Sequence, residues 1–230
     1  MALPLLNETP RYEFVIPSTG KKLKFRPYLV KEEKVLMMAS ESKDPKQMMS
    51  AILDTVVSCA VDTINPNSLT TFDLEYLFIK LRAKSVGETS TLSVNCDNCS
   101  HKTKYSLNLE EIECKQTKPN NKIKINDKIT VEMKYPGYKD IEISEDQNEL
   151  GFSLLASSIA AVYTENERID VSEEPKENVR AFLESMTRTQ FETITTFLQD
   201  MPVVKAHVKF NCEKCQTLNE FDVKGIQSFF

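Results

Sequence analysis

Glycine is scarce, with five residues in 230, histidine occurs twice and tryptophan is absent. So few glycines leave no G-x-G-x-x-G and no G-x-x-x-x-G-K, which excludes the loops that cradle phosphates at a helix N-terminus. Long apolar runs are missing as well: none approaches the roughly 20 residues that a bilayer-spanning helix requires. The opening MALPLLNETPRYEF has no basic n-region and an early proline, so a chain that is cytosolic when made is expected, with no membrane contact. Positive charge is not in excess. Lys and Arg total 29 against 34 Asp and Glu, a formal net charge of -5 with the signs interleaved, and this does not build the field that phosphate-backbone binding needs. Groups for catalysis are also poorly placed. Glu110-Glu111 and Glu173-Glu174 are adjacent in sequence and point apart, while Ser157 and Ser158 lack a G-x-S-x-G elbow and a histidine partner. The expectation is a protein that is not an enzyme and takes no small-molecule substrate.

What remains is enough apolar material, 40% of residues, to bury a core. The order of elements reads as α+β rather than as alternating βαβ units. Tyr12, Phe14 and Ile16, then Leu23 and Phe25, alternate on either side of the turn Ser18-Thr19-Gly20 and predict a hairpin. A helix over Val30 to Ser42 has Val35, Met38 and Ala39 as its inward stripe. A second begins at Asp44-Pro45, an N-cap followed by a first-turn proline, and its apolar positions from Met48 to Ala60 mark it as the central helix. A third carries Leu74, Leu77, Phe78 and Leu81, ends in Lys80, Arg82 and Lys84, and meets Gly87 as a left-handed C′ residue. Strands follow over 90–94, 105–109 and 120–135, with a turn at Asn126-Asp127. Leu150, Leu154, Leu155, Ile159 and Val162 stand at helical spacing, a polar loop TENERIDVSEEP follows, and helices are expected at Pro175 to Ser185 and Arg188 to Gln199. The domain reading is a single α+β unit over 1–230. Within it, a zinc-ribbon-like subdomain spans 88–135 plus 203–224, and helical parts span 28–87 and 146–201.

Six cysteines are present, and four of them form two C-x-x-C units, Cys96/Cys99 and Cys212/Cys215. Each unit sits between alternating runs, follows an asparagine, Asn95 or Asn211, and precedes an aromatic, Tyr105 or Phe221. Two matched hairpin pairs in a chain without a secretory signal point to metal rather than to a disulfide framework. Four thiolates at tetrahedral corners suit zinc, in a structural role, because protein sulfur fills every position and no water can be activated. Separate knuckles, or loss of the metal, is the alternative. His101 is a reserve ligand, His207 reads as sheet surface, Cys59 as core, and Cys114 has no evident partner. The basic turn at Lys80, Arg82 and Lys84 reads as dipole complementation, with nucleic-acid contact as the other possibility. Lys46-Gln47-Met48-Met49 and the terminal Phe229-Phe230 are candidate protein contacts.

The run Tyr76-Leu77-Phe78-Ile79-Lys80-Leu81-Arg82-Ala83-Lys84-Ser85-Val86-Gly87-Glu88, entering a strand and a cysteine knuckle, resembles the baseplate hub subunit family of T-even-like contractile-tailed bacteriophages. So does the opening pattern carried by Pro10, Tyr12, Pro17, Gly20, Phe25, Arg26, Pro27 and Tyr28. The resemblance covers roughly the first hundred residues well and the rest by layout. It implies a non-enzymatic tail protein, a component or assembly factor of the baseplate hub, with hub and tail proteins and the tape measure as partners. It also implies a location in the host cytoplasm during assembly and in the tail baseplate of the virion. A zinc-ribbon nucleic-acid adaptor of phage transcription or replication is the alternative expectation.

Overall fold

Tyr12–Val15 (β1) and Lys22–Phe25 (β2) pair antiparallel across the expected turn, where Gly20 takes φ 70°. Phe14, Ile16 and Phe25 are buried, and the rings of Phe14 and Phe25 stack with centroids 5.4 Å apart. In this computed structural model, residues 9–114, 120–138 and 147–226 are described. They fall into two compact units, one of 9–66, 72–114 and 203–226, the other of 67–71, 120–138 and 147–202, where the sequence reads as one.

In the first unit, α1 (Val30–Ser42) turns Glu32, Leu36 and Ala39 inward, while Val35 and Met38 are exposed. This corrects the expected stripe, and the cause is polar. The Glu32 carboxylate accepts from Arg26 Nη2 at 2.8 Å and from the Leu29 N–H at 2.8 Å, so it caps its own helix and is held beneath it. Its pKa lies below the ordinary value even though burial opposes that shift, because Arg26 and the Leu29 amide favour the carboxylate. Helix α2 (Pro45–Cys59) starts as expected, with Asp44 Oδ1 accepting from the Lys46 N–H at 2.9 Å. Asp44→Ala is therefore expected to cost about 1 kcal/mol in a denaturant melt. Its inner face, Ile52, Leu53, Val56 and Cys59, is buried, and the chain leaving it lies on the free edge of β2, where the Val61 N–H donates to the Lys24 carbonyl at 2.8 Å.

Helix α3 (Thr71–Ser85) buries Leu74, Leu77, Phe78 and Leu81 as read from the sequence, and Phe72, Asp73, Ile79 and Ala83 besides. It is more fully enclosed than α2, which corrects the choice of central helix. Gly87 has φ 152°, a conformation that side chains rarely adopt, rather than the left-handed helical value expected of a C′ residue. The chain then forms β3 (Thr89–Asn95), β4 (Lys102–Asn108) and the short β5 (Glu113–Cys114).

The second unit is built on a four-stranded antiparallel sheet in the order β6-β7-β8-β9, from Lys122–Lys124, Thr130–Met133, Ile159–Tyr163 and Arg168–Asp170. Two expectations are corrected here. The strands of 120–135 pair with each other and, through β7, with β8 instead of joining the cysteine hairpins. The helix expected to run through Ile159 and Val162 ends at Ser157 (α4, Gln147–Ser157), and the next residues are strand. Ser157 and Ser158 hydroxyls donate back to the Leu154 carbonyl at 2.8 and 2.7 Å, a bond that competes with helix continuation. The IAAVY run then satisfies its backbone groups between β7 and β9. Part of the expected polar loop is thus strand β9. Helices α5 (Lys176–Glu184) and α6 (Arg188–Gln199) stand where expected and bring Leu183, Ile194 and Phe197 onto Val131, Met133, Leu155, Ile159 and Val162.

The chain returns to the first unit through β10 (Val204–Asn211) and β11 (Leu218–Lys224), which pair antiparallel, with β5 on the far edge of β10. The protein is thus α+β, with helices and antiparallel sheets in both units. Among the described residues no helix is long and apolar enough to cross a membrane.

Candidate metal centre

The two cysteine turns share one backbone design. In the first, the Cys96 N–H donates to the His101 carbonyl at 2.9 Å and the Ser100 N–H to the Cys96 carbonyl at 2.8 Å. In the second, Cys212 N–H to Thr217 and Gln216 N–H to Cys212 repeat the pattern, both at 2.9 Å. Each turn closes through a residue of positive φ after its second cysteine, Ser100 at 56° and Gln216 at 60°. Strands β3 and β10 deliver the turns, and Tyr105 of β4 packs on Phe210 of β10 with centroids 6.4 Å apart.

The result is that Sγ atoms of Cys96, Cys99, Cys212 and Cys215 all lie within 4.8 Å of one another. Cys96 is 3.6 Å from Cys215 and Cys99 is 3.6 Å from Cys212, so each close pair joins one turn to the other across more than a hundred residues. None of the six cysteines is in a disulfide. Cys96 and Cys212 are buried, and the other two are half-buried. Such a cluster can hold a metal ion.

Polar groups around the sulfurs favour thiolates on one side of the cluster. The Cys96 Sγ receives the N–H groups of Cys99 and Asn98 and the Asn219 amide, and its pKa falls. Thr217, through its hydroxyl and then its N–H, and the Asn98 amide hold Cys215 down to about 5. Cys99 goes the other way: although the His101 N–H favours its thiolate, loss of water and the neighbouring sulfurs push it up to about 12. One crowded cluster therefore resists carrying four negative charges by itself, and a cation would relieve that repulsion.

Two asparagines brace the turns, and the sequence reading did not select them. Asn219, 2% exposed, accepts from the Asp97 N–H at 2.9 Å and reaches Cys96 Sγ at 3.5 Å. Asn98 reciprocates toward Thr217 Oγ1 at 3.2 Å and Cys215 Sγ at 3.7 Å. A signal for Asn219 was present, since it shares the inward parity of Phe221 and Val223 on β11, where an amide is out of place without a partner.

His101 contributes backbone groups to the turn and is not in the sulfur cluster. Cys59 is fully buried, as expected of core, and Cys114 lies in β5 with its thiol pushed up to about 12 by burial. Lys84 pairs with Glu110 and Glu88, and Lys80 Nζ donates to the Glu110 carbonyl at 2.5 Å, so these cations are engaged within the unit. Met48 and Met49 are half-buried; Phe229 and Phe230 lie outside the described residues.

His207 is on the sheet surface as expected, with Nδ1 3.1 Å from Asp222 and Nε2 3.0 Å from Glu220. Two carboxylates facing both ring nitrogens are satisfied only by imidazolium, and the pKa is raised, chiefly by Asp222. A raised folded value contributes stability that is fully present below the unfolded pKa and lost as pH rises through the folded one. His207→Gln is thus expected to lower the melting temperature below about pH 6 and to match the parent once His207 is neutral in both states, well above about pH 6.5. Paired thermal melts across pH check this.

These features define an α+β protein whose two cysteine hairpins, distant in sequence, meet at a site able to hold a metal. Residues 9–230 match the family described as T4 bacteriophage base plate protein, and the chain belongs to that family. No curated protein and no solved structure matches it. Membership makes it a phage baseplate protein with a structural role, in contact with other phage structural proteins.

Proposed function

We propose that the chain is a non-enzymatic component or assembly factor of the baseplate hub, working through contacts with hub and tail proteins, the tape measure included. In the same reading Cys96, Cys99, Cys212 and Cys215 hold a structural zinc ion. The observation that carries the first part is the extent of the family match, 9–230, which spans both units and both cysteine turns. The stretches that resemble the hub subunit, around 10–28 and 76–88, favour the hub over other parts of the baseplate. The zinc part rests on geometry. Tetrahedral Zn–S bonds of about 2.3 Å set sulfurs about 3.8 Å apart, close to the 3.6 Å of the two cross-turn pairs. With four protein sulfurs the ion's coordination is complete, so zinc here cross-links β3–β4 to β10–β11 and activates no water.

The reading is tested with a tagged chain recovered from infected cells. It is expected to sediment with hub and tail proteins in assembly intermediates. A chain that sediments alone throughout infection would sink the hub reading. So would one that binds DNA with affinity falling steeply between about 50 and 200 mM salt.

A further inference from the structure

Among the described residues strand β3 pairs only with β4, and no described strand lies on its other edge. The Cys96 N–H bond to His101 makes that pair a hydrogen-bonded one, and the Leu109 N–H bond to Glu88 at 2.7 Å makes the far end another. Alternation between these ends commits the backbone of Ser90, Leu92 and Val94 to β4. The N–H and C=O groups of Thr91, Ser93 and Asn95 therefore point away from the hairpin. Beside this edge runs an open groove of about 580 Å³, lined by Thr91 to Asn95 and by the half-buried Phe221 and Val223 of β11.

The two edges of this hairpin are defended unequally. Strand β4 carries Lys102 and Lys104 among its exposed positions, the lysines that discourage strand addition. Strand β3, TSTLSVN, has no charge, no proline and no bulge in its register. Its exposed side chains are Thr89, Thr91, Ser93 and Asn95, all able to pair with their own kind.

We propose that β3 is the pairing edge for a second copy of this chain, the two β3 strands adding antiparallel about a twofold axis at Ser93 into one four-stranded sheet. The outward-facing set closes on itself under that axis. Ser93 meets Ser93 of the partner subunit and Thr91 meets Asn95 of the partner subunit, so every outward N–H and C=O of the three residues finds a reciprocal group. Self-pairing of β4 would set lysines against lysines; self-pairing of β3 opposes no charges. The neighbouring acidic residues Glu220 and Asp222 do not hinder approach, because Lys209, His207 and Lys205 already engage them. Pairing also covers the groove beside Phe221 and Val223. This inference is independent of the hub reading.

Sedimentation or light scattering of the purified zinc-loaded chain over a wide concentration range tests it. The mass is expected to rise from 26.3 kDa toward twice that value. Ser93→Pro removes only an outward N–H and leaves the β3–β4 ladder intact, and Ser93→Lys opposes two cations. Both are expected to weaken the dimer at least tenfold with unchanged circular dichroism, and Lys104→Ser to leave it unaltered. Exchange of the Thr91, Ser93 and Asn95 amides should slow with concentration. A monomer throughout, or a dimer indifferent to both Ser93 variants, overturns the proposal. Protection of these amides only when other baseplate proteins are added also overturns it and assigns the edge to a foreign strand.

Discussion

Cys96→Ser or Cys215→Ser is expected to release the metal entirely, taking the purified chain from one zinc to none, and to lower the melting temperature by about 10 °C. The magnitude follows from linkage. An ion that binds only the folded chain, at a concentration about a thousandfold above its dissociation constant, adds roughly 4 kcal/mol, and for a chain of this size each kcal/mol is worth about 2–4 °C. Cys96 and Cys215 belong to different turns, 3.6 Å apart and separated by 119 positions in the chain. Losing either opens the longest loop the site closes, and loops of that length are where closure contributes most in principle. A strong chelator should reproduce the shift in the parent and add nothing in the variants. Elemental analysis beside thermal melts checks both. Parent protein that carries no zinc, or variants that melt with the parent, would remove the metal from the account and leave the four thiols as a packed cluster. Asn219→Leu separates metal binding from bracing: it keeps all four sulfurs but removes the bond to Asp97, so zinc should be retained with lower affinity.

The cysteine turns were legible because ligand spacing is a local property: C-x-x-C between alternating runs carries its geometry in a few residues. What closes those turns was not. Positive φ falls on Ser100 and Gln216 rather than on glycine, and the cross-bracing by Asn98 and Asn219 joins positions that are distant in sequence. The same distinction explains the rest of the fold. Helices α2, α3, α5 and α6 follow from periodicity within themselves, and α2 from its Asp44 cap as well. The face that α1 buries is set by Arg26 meeting Glu32, a polar contact that hydrophobic spacing does not report. Apolar residues from Leu150 to Val162 fit a helix, and a short apolar run cannot be told from a strand by period alone. The strand at Ile159–Tyr163 is decided by β7 and β9, which lie on either side of it in space. Grouping 120–135 with the cysteine hairpins failed for the same reason, since alternation shows that a segment is a strand without naming its neighbour.

Asp73→Ala is expected to lower stability by about 3 kcal/mol, through loss of hydrogen bonds to a buried carboxylate. Asp73 stands in the first turn of α3, fully buried, where the helix dipole favours an anion. Its Oδ1 accepts from the Ser18 N–H at 2.8 Å and its Oδ2 from the Ser18 hydroxyl at 2.6 Å. Alanine leaves the Ser18 donors facing a void, and the turn of the β1–β2 hairpin loses its anchor on α3. Ser18→Ala removes the hydroxyl alone and should cost about 1 kcal/mol, while Asp73→Asn keeps one acceptor oxygen and should fall between the two. Guanidinium melts with an unchanged denaturant slope check the series, and an Ala variant within about 0.5 kcal/mol of the parent would show that the carboxylate does not anchor the turn. The position matters beyond its own energy. Ser18 belongs to the opening segment that resembles the hub family, and Asp73 stands three residues before the helical segment that does. A second bond, from the Tyr28 N–H to Ser85 Oγ at 2.9 Å, ties the same two segments at their other ends. Two stretches some fifty residues apart are therefore held together at both ends by side chains.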